Sequence, residues 1–566
     1  MSDSSILAAP QIGVDIWPYE GGYYALAGGQ VISCSVDKSL RGGGSASIVL
    51  APGGPNGQGY PSWSQVLTLQ SLVVVAMSRG SRSNVVFVGV VVEVEEDQIW
   101  ESGAQVVRTI QVRAQDWSHW FMDRNWSALT YLGATNGLVY AAETGLPQPQ
   151  DGISAVVFGG ALSQNPASVA NSWFSEIMGG TQGVLGKTTL RYGSNSITWT
   201  AATNSYFEKY PLNAIFPYSI YYTSDEGSWW GKFDRILEQP YYEMIVGCAP
   251  DGTWYGQPNA PSVQAVGATG SLFYSSTMPN AVPARAGIVG RLCPLPDLSL
   301  AGKTQASSGI SGQPAQVFSG ANMASWQALP LKTPDGSPTS FISSRVSNSV
   351  EDYSNFFVLN PVNYRVFFGI PNVPSIFMFA YAGAADIGGI HRFGMRSMVR
   401  DTYWWADPNG NVAQGGPDIA QQMETLANAL TTRLATFYDL LPLTERGEVT
   451  LPLRPDIFVG TRFSYSPFRA DTPWTFYINS VQHRWVFGGP STTTLGLERG
   501  LPERVYADAD GMLDVLTGNA IRMDGDIAYG LPAGLGPGLQ VFGMANDSIK
   551  SVLGQIAGVY VQAGAK

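Results

Sequence analysis

One run of β-branched residues constrains this chain more than any other feature. Asn84-Val85-Val86-Phe87-Val88-Gly89-Val90-Val91-Val92-Glu93-Val94-Glu95 is almost continuous valine. A valine side chain is stiff at χ1, which disfavours a helix and suits a pleated surface. The next segment, Gln105 to Asp116, alternates Val107, Thr109, Gln111 and Arg113 against Arg108, Ile110, Val112 and Ala114, the period-2 mark of a strand. Val31 to Val36 alternates as well, and Leu67 to Met77 is a further strand candidate. Turn clusters at 42–45 (GGGS) and 51–61 (APGGPNGQGYP) separate these segments. Short β-branched strands between Gly-rich turns predict a small antiparallel barrel or sandwich over residues 1–125.

Strand text returns late in the chain. Gly447 to Leu453, Trp474 to Asn479, Ser480 to Phe487 and Thr492 to Leu497 read as strands, with Gly488-Gly489-Pro490 turning between the last two. Between the two strand-rich ends lie less regular regions. Residues 126–224 have weak periodicity and read as irregular α/β. In 225–258, Ser228 is the expected N-cap of a helix that places Trp230, Phe233, Ile236 and Leu237 on one face and stops at Pro240. The segment Tyr241 to Val246, the turn Pro250-Asp251-Gly252 and Thr253-Trp254-Tyr255 then predict a hairpin. Residues 259–345 are rich in Ser, Gly, Ala and Pro and read as loops or an exposed insertion. Strands are expected at Tyr364 to Phe368 and Ile376 to Tyr381. A long helix is expected over 418–441, where Ile419, Met423, Leu426, Leu430, Leu434, Phe437 and Leu441 recur every three to four residues. The C-terminal 506–566 reads as a Gly-rich extension with one short helix after Ser548. The domain division is therefore 1–125, 126–258, 259–345, 346–445, 446–505 and 506–566.

Composition narrows the function. Charged residues are 13% of the chain, against a usual ~25%. A large surface this poor in charge suggests coverage by partners. The net charge of −11 argues against general nucleic-acid binding, which needs a basic face. No apolar run approaches the ~18 residues of a membrane helix, and the start MSDSSILAAPQIG shows no secretory pattern. Cys34, Cys248 and Cys293 are odd in number and far apart, which argues against a disulfide framework.

Enzymatic motifs each meet an objection. Gly183 to Thr188 (GVLGKT) lacks the first glycine of a phosphate loop, because position 181 is Thr. Asp508-Ala509-Asp510-Gly511 would put Tyr506 and Thr517 at the ends of a calcium loop, where carboxylates belong. No GxSxG occurs. His119, His391 and His483 show no metal-ligand spacing, and His119 and His483 sit among aromatic and strand residues as packed side chains. Glu93, Glu95, Glu96 and Asp97 form an acidic run that reads as a solvated strand end rather than a metal rim. The rival reading is a carbohydrate-active enzyme or glycan-binding protein. It rests on the aromatic and acidic stretch 206–255 with Asp225, Glu226, Asp234, Glu238 and Glu243. Asp234 and Glu238 stand four apart on the polar side of the predicted helix with Arg235 between them, so a solvated helix face is the plainer expectation. No catalytic, cofactor or metal residues are assigned.

Three stretches resemble the tail hub, or baseplate hub, proteins of tailed bacteriophages, which are similar to the hub part of the type VI secretion spike. The first is VVFVGVVVEVEED at 85–97 with VVRTIQVRAQDWSHWF at 106–121. The second is SWWGKFDRILEQPYYEMIVGCAPDGTWYGQP at 228–258. The third is GEVTLPLRPDIFVGTRFSYSP at 447–467 with FYINSVQHRWVFGGPSTTTLGLERGLP at 476–502. The resemblance implies an α+β, mainly β fold of two similar antiparallel β-barrel domains interleaved with an α/β domain. It also implies a homotrimer around a channel, a near-sixfold ring that meets a tail tube or distal tail protein on one side and a central fibre or spike on the other. DNA would pass without specific binding, and no cofactor or stable membrane insertion is implied.

Overall fold

The computed structural model describes residues 9–19, 23–54, 62–79, 82–101, 105–116, 227–247, 342–361, 393–402, 444–455 and 474–502, with short strands and single positions elsewhere. The chain is mainly β, built on one large curled antiparallel sheet that forms a half-barrel. Its N-terminal strands are β1 (Pro10–Trp17), β2 (Tyr24–Ala27), β3 (Val31–Ser39), β4 (Ser45–Leu50), β5 (Leu72–Arg79), β6 (Arg82–Glu101) and β7 (Gln105–Asp116). A single helical turn, α1 (Trp63–Val66), precedes β5, so the strand expected from Leu67 begins at Leu72. The helix α2 (Trp229–Ile236) is followed by β8 (Tyr242–Gly247) and β9 (Gly287–Leu292). The remaining strands of the argument are β10 (Ser343–Ser347), β11 (Glu445–Pro452), β12 (Arg462–Tyr465), β13 (Trp474–Val486) and β14 (Thr492–Pro502).

The order across the main sheet is β10-β11-β14-β13-β3-β4-β7-β6-β5-β1-β2, with β12 on the start of β13. This order contains a repeat. In the first module β4 pairs with β7, β7 with β6, and β6 with β5. In the second, β11 pairs with β14, β14 with β13, and β13 with β12. Each module also adds one more antiparallel strand in the same place, β3 beside β4 and β10 beside β11. The registers coincide rung by rung. Cys34, Ile48, Val112 and Val94 form one rung, and Ser344, Val449, Leu495 and Val481 form the other. Both long strands carry an irregularity at the matching place, between Val91 and Glu93 in β6 and between Ile478 and Ser480 in β13. A bulge bends a strand and raises its twist, so two strands bulged alike curl alike.

Inward faces match too. Ile48 and Leu50 on β4 are buried, as are Val449 and Leu451 on β11; Ile110, Val112 and Ala114 on β7 correspond to Thr493, Leu495 and Leu497 on β14. The first core is mostly aliphatic, with Val73, Val75, Val91 and Val112 beside Phe87. The second is built around Phe463, Tyr465 and Phe476, whose rings meet at centroid distances of 5.2 to 5.6 Å. β5 is buried on both sides from Leu72 to Ser78, which explains its unbroken apolar text. The modules are fused by β3, which pairs antiparallel with β13 from Ser33–Val486 to Ser39–Ser480.

Within 259–345 the described residues include β9, Pro330–Lys332 and most of β10, which are strands. β10 is too polar and short to stand out as a strand alone; pairing to β11 makes it one. Of the expected helix over 418–441, the described positions Leu430, Leu434, Phe437 and Tyr438 are helical, and Leu430 and Leu434 are buried. The turn at 250–252, the strands at 364–368 and 376–380, the motifs at 183–188 and 508–511, His391 and the helix after Ser548 lie outside the described residues. Among the described residues, no helix is long and apolar enough to cross a membrane.

Candidate functional site

The polar residues singled out by sequence converge on the seam where α2 and β8 meet the sheet. Ser228 caps α2 as expected: its Oγ accepts the Gly231 N–H at 3.2 Å. Trp230, Phe233 and Leu237 are buried, so the apolar face of α2 is the expected one. Arg41, in the tight β3–β4 turn with φ of 58°, ties the sheet to this helix. Its guanidinium donates to Asp234, to the Tyr242 carbonyl and, at 2.9 Å, to the Leu237 carbonyl. Its own carbonyl accepts the Trp230 indole N–H at 3.0 Å, and its N–H donates to the Met244 carbonyl at 2.9 Å.

Of the carboxylates of the rival reading, Asp234, Glu238 and Glu243 are therefore placed, and Asp225 and Glu226 lie outside the described residues. Asp234 is half exposed and bound to Arg41. Glu238 corrects the expectation of a solvated face: α2 ends at Ile236, and Glu238, one residue past the cap Leu237, is buried and accepts the Thr402 hydroxyl at 3.0 Å. Glu243 on β8 is buried and accepts the Tyr477 hydroxyl, with Arg499 Nη2 at 3.9 Å. Arg499 lies 3.9 Å from the Tyr477 ring centroid and 5.7 Å from that of Phe437, over both faces. A cavity of about 280 Å³ runs along this seam, lined by Arg41, Tyr242, Glu243, Asn479, Glu498 and Arg499 among others. Each acid here is held by a structural partner, so the seam fastens α2 and β8 to both modules. Arg41 and Arg499, which hold it together, carried no sequence signal beyond their place next to glycines.

His483 is packed and satisfied, as its strand context predicts. Nδ1 lies 2.9 Å from the Thr493 hydroxyl and Nε2 lies 3.2 Å from the Ile457 carbonyl, so Nε2 carries the proton and Nδ1 accepts. Cys34 is buried as a free thiol. Among the described residues no cluster of His, Cys, Asp and Glu could hold a metal ion.

Besides β2 at the far end of the sheet, two strand edges stay open among the described residues. β6 outruns β5: their pairing ends at Leu72–Val90, and Val91 exchanges hydrogen bonds with Ser71 and Gln70. From there to Glu101, β6 pairs only with β7 among the described residues. This stretch holds the acidic run, exposed from Glu95 to Gln98. Arg113 on β7 bonds Glu93 at 2.9 Å, and Ser64 on α1 donates to Glu96 at 3.1 Å. The second open edge is β10, exposed along most of its length and paired only with β11 among the described residues.

No protein-family model matches the chain, and no curated protein matches it in sequence. Solved structures do. A tail protein from Neisseria meningitidis MC58 is similar over 87% of this chain and 96% of its own, at 9% identity and a TM-score of 0.42. The 43 kDa tail protein of prophage MuSo2 from Shewanella oneidensis is similar over 88% and 99%, at 8% identity and a TM-score of 0.40. The Escherichia coli c3393 protein, a component of the type VI secretion system, is similar over 84% and 73%, at 8% identity and a TM-score of 0.32. Two of these neighbours are named as tail proteins and the third as a component of the type VI secretion system.

Proposed function

We propose that this chain is a structural tail hub, a non-catalytic protein of a phage tail tip or baseplate. Three copies close into a ring around a channel, and the two modules of each copy present six near-equivalent units. One face of the ring meets a sixfold tail tube or distal tail protein, and the other meets a threefold fibre or spike. The observation that carries this reading is the repeat: one chain holds the same five-strand order, the same rungs and the same bulge twice. A chain with two like modules converts threefold into sixfold spacing without a second gene product. The three sequence stretches that resemble tail hubs fall on β6–β7, on α2–β8 and on β11–β14, the parts that build and join the modules.

Composition supports the same reading. A surface poor in charge is cheaper to desolvate at large interfaces. A net charge of −11 suits a channel through which DNA slides without sticking, because acidic walls repel phosphate. The chain is made in the host cytoplasm and works in the virion.

Electron microscopy of the purified full chain, with mass from light scattering, tests this. Threefold particles with a central hole are expected. A protein that stays monomeric at high concentration, alone and with the tail components of its own particle, would overturn the reading.

A further inference from the structure

The two modules differ at one junction. In the second module the distal half of β13, Ser480 to Val486, is covered by β3 of the same chain. The matching half of β6, Glu93 to Ile99, has no such cover among the described residues. β3 and β10 hold the same place in their modules, and β10 ends the sheet with its outer edge open. So among the described residues each copy has one filled junction, one uncovered acceptor edge on β6 and one uncovered donor strand, β10.

We propose that β10 of one copy pairs antiparallel with the distal half of β6 of a second copy, repeating between chains the β3–β13 junction found within one. This rests on the tail-hub reading and adds the surface by which the copies join. The internal junction fixes the register. Val486–Ser33, Trp485–Cys34, Arg484–Ser35, His483–Val36 and Gln482–Asp37 are its pairs. Carried over the rungs that relate the modules, they become Ile99–Ser343, Gln98–Ser344, Asp97–Arg345, Glu96–Val346 and Glu95–Ser347. The transferred register sets Arg345, the one charged residue of β10, directly opposite Asp97 and beside Glu95 and Glu96 on the acceptor strand. Among the described residues neither Arg345 nor Asp97 has an ion pair. Opposite charges facing across strands stabilise a pair, and like charges there destabilise it.

Two further facts fit. Exposed flat edges invite unwanted pairing, and proteins blunt them with charge until the right partner arrives; the acidic run does this on β6. Donor and acceptor are different surfaces of the same chain, so the contact is head-to-tail, and such contacts form closed rings when their rotation closes.

The test is charge reversal and cysteine pairing in the full chain. Asp97→Arg or Arg345→Asp should each raise the concentration at which rings dissociate, by roughly fivefold per junction. The double variant, D97R with R345D, should restore assembly. The pair Asp97→Cys with Arg345→Cys should give, on oxidation, covalent products that end at the closed ring, whereas either single variant should not. Rings that form normally, ignore both charge reversals and fail to cross-link at these positions would overturn the junction while leaving the hub reading intact. A wild-type chain that never assembles would overturn the hub reading and the junction with it.

Discussion

The two modules share their strand order but finish the last strand in opposite ways. By the rung-for-rung match, Asp116 at the end of β7 corresponds to Arg499 on β14. Asp116 is fully buried and accepts the Gly44 N–H at 2.6 Å and the Ser118 N–H at 3.0 Å. Burial pushes its carboxyl above the usual range, although Lys38 and these donors pull the other way. Arg499 instead lies over Tyr477 and reaches Glu243 on β8. The first module therefore closes on its own β3–β4 turn, and the second closes on α2 and β8. One backbone plan serves two units that hold α2 and β8 differently, the first through Arg41 of its β3–β4 turn and the second through Tyr477 and Arg499.

The sharpest way to break this comparison is to open each core in turn. Phe87 and Phe476 are both wholly buried, so Phe87→Ala and Phe476→Ala should each cost about 3–5 kcal/mol. Because β3 and β13 make the modules one sheet, both variants should lower a single calorimetric transition. Two separate transitions, each moved by one variant, would show that the modules unfold independently.

Next in size is the removal of Arg499. Arg499→Ala strips the guanidinium from a buried carboxylate and two rings, and about 3 kcal/mol should be lost. A chemical-denaturation midpoint that does not move would refute its role as the fastener of the second module.

The smallest effect is a pH dependence confined to the first module. Asp15, on β1, is buried, and desolvation raises its carboxyl to about 6 against the opposing hydrogen bond from Tyr23. A carboxyl with a raised folded-state pKa holds its proton more tightly when folded. Its contribution is therefore fully present at low pH and is lost as pH climbs from about 4 through about 6. Asp15→Asn should leave stability at pH 4 little changed and raise it at pH 7.5 by up to about 3 kcal/mol. Thermal melts of both proteins across that range check the sign; equal gains at both ends would contradict it.

Much of the fold was readable where a local rule governs. β7 has its expected bounds, Gln105–Asp116, because apolar and polar residues alternate along it. Ser228 capped α2 because a short hydroxyl next to an amphipathic run has one favourable use there. Where distant partners decide, reading failed. Glu238 looked solvated because helix periodicity was extended past Leu237, whereas it is buried and bonded to the distant Thr402. β10 reads Ser-Ser-Arg-Val-Ser, with no apolar stripe, and is a strand because β11 lies beside it. The β3–β13 junction is likewise set by rungs that no local pattern displays. The acidic run is exposed as expected, but it is not a strand end: β6 continues to Glu101, and the meaning of the run depends on the cover missing beside it among the described residues.

That junction also bears on biosynthesis. Asp37 meets its cross-strand neighbour Gln482 445 residues later in the chain. At a ribosomal pace of roughly 5–20 residues per second, the N-terminal half waits on the order of a minute for the strand that completes it. Contacts this distant in sequence also form slowly once available. During that interval the outer rim of β3 is available to any extended segment nearby, so nascent chains crowded on one message are the place where mispairing would begin.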